Sequence, residues 1–322
     1  MQGKVLPERS AEEVYAGCDV SKDFLDLYLH PSGERLRVSN DRQGLGKLKR
    51  ELAGRPVALL TLEATGKYHR AACRSLSQAG LPVAVVNPLR ARLFAKAAGL
   101  LAKTDRVDAM MLAYMGKALC PRTTMPTEQA HEDLSELVRA RNAASAERTA
   151  LKNRLAAAAT SFLKSELKRC IASLNTHIER LAAEIERRIK ANPAFARRAE
   201  ILASIPGIGP AVAADLLVDM AELGSLSAKA AASLSGLAPV ADDSGHRNGP
   251  RRIRGGRPQA RRALYLAALS AARYNPPLAI FYKRLIEAGK KPKVAIVAVM
   301  RKLIVLANTL LSENRIWCPN HP

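Results

Sequence analysis

The sequence predicts two kinds of fold in one chain: an α/β region at the N-terminus and an all-α remainder. Three observations carry that prediction. Up to about residue 119, short β-rich runs alternate with amphipathic stretches. After about residue 127 the β-rich runs stop, and Ala, Glu, Lys and Arg dominate a helical pattern. The chain has 322 residues, 48% of them hydrophobic, enough for two or three domains with substantial cores.

In the first region EVYAGCDV reads as a strand. LDLYLH, with Leu25, Leu27 and Leu29 on one parity, is a second, and a PSGE turn leads to a third, LRVSN. Connections this short predict an antiparallel meander. GLGKLKRELAG reads as a helix ending at Gly54. The apolar run PVALLTLEATG has the pattern of a strand buried on both faces. A helix through YHRAACRSLSQAG leads to another buried strand, LPVAVVNP, and then to a helical tract containing KTDRVDA. The order β-β-β-α-β-α-β-α is that of the RNase H-like fold, a mixed sheet flanked by helices, assigned here to residues 1–125.

Residues 126–195 form a helical region. Ile171, Leu174, Ile178, Leu181 and Ile185 make an a/d seam that fits a coiled coil between chains and a hairpin closing on itself equally well. Asn192-Pro193 ends it. Residues 196–322 form a C-terminal helical domain. In ILASIPGIGPAVAADLL, Gly207 and Gly209 stand between two helical patterns, as in a helix-hairpin-helix that offers backbone N–H groups to a phosphate. A plain tight turn has the same pattern. The late apolar stretch VAIVAVMRKLIVLANTLL is interrupted by Arg301 and Lys302, which predicts a buried core helix and no membrane span.

The chain carries 51 Lys and Arg against 29 Asp and Glu, a formal net charge of +22. That balance predicts a polyanionic partner, nucleic acid first. MQGKVLPERSAEE has no apolar signal core. Cys18, Cys73, Cys120, Cys170 and Cys318 contain no C-x-x-C pair, and the reading is reduced thiols in a cytoplasmic protein. Cys318 and His321 look like half a zinc site, but no second pair completes it.

Against that basic background four acids stand out. Asp105 and Asp108, three positions apart in KTDRVDA, fall on one helix face roughly 5–6 Å apart at Cβ. Thr104 could also cap this helix, with Asp105 favoured in its first turn. Glu63 sits in an apolar run, where an unpaired carboxylate costs several kcal/mol. Asp19 ends the first strand in AGCDVSK. In an RNase H-like sheet the first and fourth strands are neighbours and the last helix crosses near their ends, so all four acids converge. Gathered carboxylates repel unless cations neutralise them, and hard oxygen ligands suit Mg²⁺ or Mn²⁺. Two such ions about 3.5–4 Å apart clamp the attacking and leaving oxygens of a phosphodiester.

The second constellation is GLAPVADDSGHRNGPRRIRGGRPQARRALY, from 236 to 265. Between Asp243 and Glu287 lie ten Lys or Arg and no acid, and seven of the ten are Arg247, Arg251, Arg252, Arg254, Arg257, Arg261 and Arg262. Gly245, Gly249, Gly255 and Gly256 predict a loop here, and glycine-punctuated arginine loops suit phosphate clamping, because the guanidinium fork binds phosphate bidentately. Ser244 is the one hydroxyl between Ser235 and Tyr265. Its chemistry leaves two roles open, a hydrogen-bond donor to phosphate or a nucleophile on phosphorus.

The ordered set DVSK, EATGKY, VVNP, KTDRVDA, SIPGIG, GLAP, the serine-glycine with its arginines, RRALY and GKKPKV-MRKL resembles the IS110 family of insertion-sequence transposases, with the related Piv-type DNA invertases. The resemblance runs over nearly the whole chain, apart from about a dozen residues before the first strand. It implies a RuvC-like domain with Asp19, Glu63, Asp105 and Asp108 as a DEDD metal tetrad, a coiled-coil insert, and a C-terminal domain whose Ser244 joins DNA covalently. It further implies a structured noncoding guide RNA, donor and target DNA as partners, and a homo-oligomer, dimer or tetramer, with tetrad and serine from different protomers. The alternative is a RuvC-type metal-dependent nuclease that hydrolyses branched DNA with activated water and has no need of Ser244.

Overall fold

The first strand, β1 (Val14–Val20), is the centre of a five-stranded sheet ordered β3-β2-β1-β4-β5. A computed structural model describes residues 13–99, 105–126, 128–240, 243–244, 247–248 and 251–319; for Asp105, Arg106, Asp243, Ser244, Arg247 and Asn248 it describes the backbone alone. β2 (Phe24–His30) and β3 (Arg35–Ser39) pair antiparallel, as the short turns demand. β4 (Val57–Glu63) and β5 (Val83–Val86) run parallel to β1, joined through α1 (Arg42–Leu52) and α2 (His69–Gln78). The expected adjacency of first and fourth strands is therefore present. Asp41 caps α1, its carboxylate accepting from Gly44 N at 2.8 Å. The helical tract after β5 is two helices, α3 (Pro88–Ala97) and α4 (Asp105–Leu119). Thr104 lies outside the described residues. The chain divides into two compact units, Met1–Glu128 and Gln129–Pro322.

The second unit opens with two long helices, α5 (Gln129–Ala157) and α6 (Ser161–Ala191). Arg188 near the end of α6 bonds Asp133 near the start of α5 at 2.9 Å, while Arg148 bonds Asn175 at 3.1 Å, so the pair is an antiparallel hairpin. Of the seam residues, Ile171 and Ile185 are buried, and Ile185 packs with Leu134 and Val138 of α5. Asn192 stops α6 and caps α7 (Pro193–Ser204), accepting from Ala194 N and Phe195 N. α8 (Pro210–Asp219) is tied to α5 by a buried polar cluster: Asp215 accepts from Arg141 at 2.6 Å and from Asn142 at 2.8 Å.

The core of this unit forms around α12 (Pro292–Ser312), with α9 (Ala228–Leu234), α10 (Pro258–Tyr274) and α11 (Pro276–Glu287) packed about it. By length and composition α12 could cross a membrane. Here Ala295, Val299, Leu303, Ile304, Ala307 and Leu310 are buried in the core. Its buried Asn308 donates to Leu226 O at 2.7 Å and accepts from Gly224 N at 2.9 Å. None of the five cysteines is in a disulfide, and His321 lies outside the described residues.

Candidate active site and nucleic-acid interface

Strand register sets the acids of the first unit in a row. Asp19 lies opposite Asp26 in the antiparallel β1–β2 pair. Cys18 pairs with Leu62 in the parallel β1–β4 ladder, so Asp19 and Glu63 are the next residues along. Directly opposed residues share a sheet face, which puts Asp26, Asp19 and Glu63 side by side. Asp19 and Glu63 are half-buried at the C-terminal ends of their strands.

Helix α4 is seated on that same face. Gly17, two residues before Asp19, has no room for a Cβ, which would overlap the Ala109 carbonyl oxygen and the Ala113 nitrogen. Gly116 meets the buried Thr61, two residues before Glu63, with 2.5 Å between an added Cβ and Thr61 Oγ1. Lys117 approaches His30, which pairs with Tyr15 at the opposite end of β1, at 2.9 Å. The helix thus runs back along the strands, and its first turn, with Asp105 and half-buried Asp108, lies at the end where Asp19 and Glu63 sit. The side chain of Asp105 lies outside the description. Among the described residues no three metal-ligating side chains form a group able to hold an ion. The donor chemistry of Asp19, Glu63 and Asp108, hard carboxylate oxygens at one end of one sheet face, fits Mg²⁺ or Mn²⁺.

Two neighbours of this row were missed from the sequence. Arg37 grips Asp26 bidentately at 2.7 and 2.8 Å and lies 5.4 Å over the Phe24 ring. Arg35 lies 5.1 Å over Tyr28. With Ala109 of α4 they line a cavity of about 290 Å³ beside the carboxylates. The signal was parity: Phe24, Asp26 and Tyr28 alternate with the leucines of the same strand. Burial pushes the Cys18 thiol well above its ordinary pKa, and the charges of Asp19 and Asp26 add to the effect, so Cys18 stays protonated.

In the second unit the arginine segment is a paired arm where a loop was expected. β6 (Pro239–Val240) pairs with β9 (Arg252–Ile253), and beyond them β7 (Asp243–Ser244) pairs with β8 (Arg247–Asn248). Ser244 and Arg247 face each other across the upper ladder. Arg251, Arg252, Arg254 and Arg262 are exposed. Arg261 donates to Gly255 O at 2.7 Å, at the foot of the arm. Arg257 holds Glu222 bidentately at 2.7 and 2.6 Å and donates to Asp219 O at 2.7 Å, which ties the start of α10 to the end of α8. Gly207 has φ +107°, and a Cβ there would stand 2.7 Å from Ala271 Cβ, so the turn is pressed onto α10. Gly209 is exposed and precedes Pro210 at the start of α8.

Comparison with known proteins gives the class of the chain. A DEDD transposase model of IS110 type matches residues 16–163, and the model described as "Transposase IS116/IS110/IS902 family" matches residues 199–283. The region of the carboxylate row and the region of the arm thus fall to one class, the transposases. The pilin gene-inverting protein of Moraxella bovis is 31% identical over 316 residues, 94% of this chain and 97% of its own. That of Moraxella lacunata matches to the same extent, and an uncharacterized 42 kDa protein of the insertion element IS900 from Mycobacterium paratuberculosis is 32% identical over 163 residues, 48% of this chain and 39% of its own. The chain belongs to the IS110 transposase family.

Proposed function

We propose that this protein is a DNA recombinase of an insertion sequence that cuts and rejoins strands through a serine-linked intermediate. The observation that carries the reading is the row of Asp19 and Glu63 on one sheet face, with the first turn of α4 brought over the same end. In this reading the first unit is RuvC-like, and Asp19, Glu63, Asp105 and Asp108 hold Mg²⁺ or Mn²⁺. Such ions, when bound, stabilise charge on the oxygens of a phosphodiester. Ser244 Oγ bonds to phosphorus while one strand oxygen leaves, and the reverse exchange rejoins DNA. Arg247, Arg251, Arg252 and Arg254 on the arm contact phosphates, with Arg262 behind them. The exposed backbone at Gly209 supports a phosphate contact at the hairpin more than Gly207 does.

The match to pilin gene-inverting proteins along 94% of the chain supports recombination over simple hydrolysis. Donor and target DNA are the substrates, in a homo-oligomer. The excess of +22 suits contacts to backbone and shape, and a structured noncoding RNA would supply sequence choice by pairing.

The test uses a nicked suicide DNA substrate and protein co-expressed with its flanking noncoding DNA. Wild-type protein with Mg²⁺ should yield an adduct that survives denaturing electrophoresis. Ser244→Ala should lose the adduct and keep DNA binding, while Asp19→Ala, Glu63→Ala, Asp105→Ala, Asp108→Ala or excess EDTA should each abolish cleavage. Recombination at the wild-type rate by Ser244→Ala would refute the serine mechanism. Recombination by nuclease-treated, RNA-free protein at its normal target would refute the guide.

A further inference from the structure

The sheet face that carries the carboxylates continues past Asp19 onto the edge of the sheet, and its character changes there. Asp26 and Tyr28 of β2 lie opposite Arg37 and Arg35 of β3, and Phe24 follows on the same parity of β2. These side chains form two stacked pairs, Arg37 over the Phe24 ring at 5.4 Å and Arg35 over the Tyr28 ring at 5.1 Å. Tyr28 is buried with Ala109 and Ala113 of α4. Phe24, in contrast, is 47% exposed.

A ring left that open gains little for the fold, because the aliphatic core of β2 lies on its other side, where Leu25, Leu27 and Leu29 are buried. The ring is nevertheless held in place. Ser21 N donates to Phe24 O at 2.9 Å across the β1–β2 turn, and the bidentate bond to Asp26 fixes the guanidinium of Arg37 above the ring. The two planes make a small platform, aromatic and cationic at once. Unstacked bases lie against such rings and guanidinium planes, since every base has a π-face. Location narrows the choice of strand. Asp26 is paired with Asp19, and Phe24 lies two residues further toward the same end of the sheet, about 7 Å along β2. Two stacked nucleotide steps cover that length, at about 3.4 Å each.

We infer that the platform of Phe24 and Arg37 is a stacking site for a base of the DNA strand on which the carboxylate row acts. A base close to the reacting phosphate leaves its own stack and lies against the platform, which sets where the strand crosses Asp19 and Glu63. The inference rests on the DNA reading proposed above. Phe24 binds and positions the strand and takes no part in the exchange of bonds.

The test uses full-length protein co-expressed with its flanking noncoding DNA, and the nicked suicide substrate, with Ca²⁺ in place of Mg²⁺ to keep the strand uncut. Single bases within about three nucleotides of the cut are replaced by 5-iodouracil, which near-ultraviolet light joins to an aromatic ring stacked on it. A crosslink should form at one of these positions, to the peptide that contains Phe24. Phe24→Leu should lose it and lower DNA affinity about tenfold, while the slope of log affinity against log salt stays unchanged, because stacking releases no counterions. Phe24→Tyr should restore both crosslink and affinity. Phe162→Leu, at an exposed ring on α6, is the control and should change neither. Equal melting temperatures would show that all variants fold. A Phe24→Leu protein that binds as tightly as the wild type, or loses no more than the control, would overturn the inference. So would crosslinks that leave out Phe24, or one formed at Phe24 only by an RNA oligonucleotide of the same sequence. A wild-type protein that does not bind the substrate would instead sink the proposed function, and this inference with it.

Discussion

An arginine in a basic segment can hold the protein together or meet a ligand, and its hydrogen-bond partners tell which. Arg257 belongs to the first kind. Its bidentate bond holds the Glu222 carboxyl below the usual carboxylate range, against a smaller opposing push from burial. A depressed carboxyl contributes stability that is fully present above its ordinary pKa and lost as pH falls through the folded value. Glu222→Gln should therefore lower the melting temperature at about pH 7, with the difference shrinking toward about pH 3. A difference that stays constant with pH, followed by circular dichroism, would remove Arg257–Glu222 as its source. That partnership was not legible in the sequence, since Glu222 lies 35 residues from Arg257. The Asp26–Arg37 pair was hidden for a related reason: it depends on strand register, and composition around Asp26 does not distinguish it from a solvated acid.

Among the elements, α4 decides the geometry of the candidate metal site. Gly17 lets its backbone lie directly on β1, where no side chain intervenes to absorb an error, and Gly116 makes room for the Thr61 side chain of β4. Gly17→Ala should force the helix off the sheet and carry Asp105 and Asp108 with it. Mg²⁺ demands near-ideal octahedral geometry. The expected result is that Mg²⁺-supported cleavage falls by at least about tenfold, a cost of ~1.4 kcal/mol or more, within the range for overpacking. Mn²⁺ should recover part of it. Equal losses with both metals would point to general unfolding, which a melting curve checks. Element order was readable here because strands of four to seven residues and helices of ten or more carry at least one full period. The arm was not, because two-residue strands have no period to read. Gly207 invited a phosphate reading for want of any hint that α10 presses on it.

For the whole molecule, the carboxylate row and Ser244 belong to different compact units. If each active site joins the acids of one protomer to the serine of another, two inactive variants should complement. Mixing Asp19→Ala with Ser244→Ala protein, after exchange of subunits, should restore cleavage that neither shows alone. A mixture as inactive as its components would confine each site to one chain. The α5–α6 hairpin adds a property of a different order. Its antiparallel arms are joined near one end by Arg188–Asp133, α5 is anchored to α8 by Arg141 and Asp215, and the chain leaves where it entered. The hairpin is thus a ruler with its zero mark at the base. Deleting one heptad from each arm would shorten its reach by about 10 Å and leave the packing register beneath intact. Distance to the tip is a quantity this architecture can vary on its own.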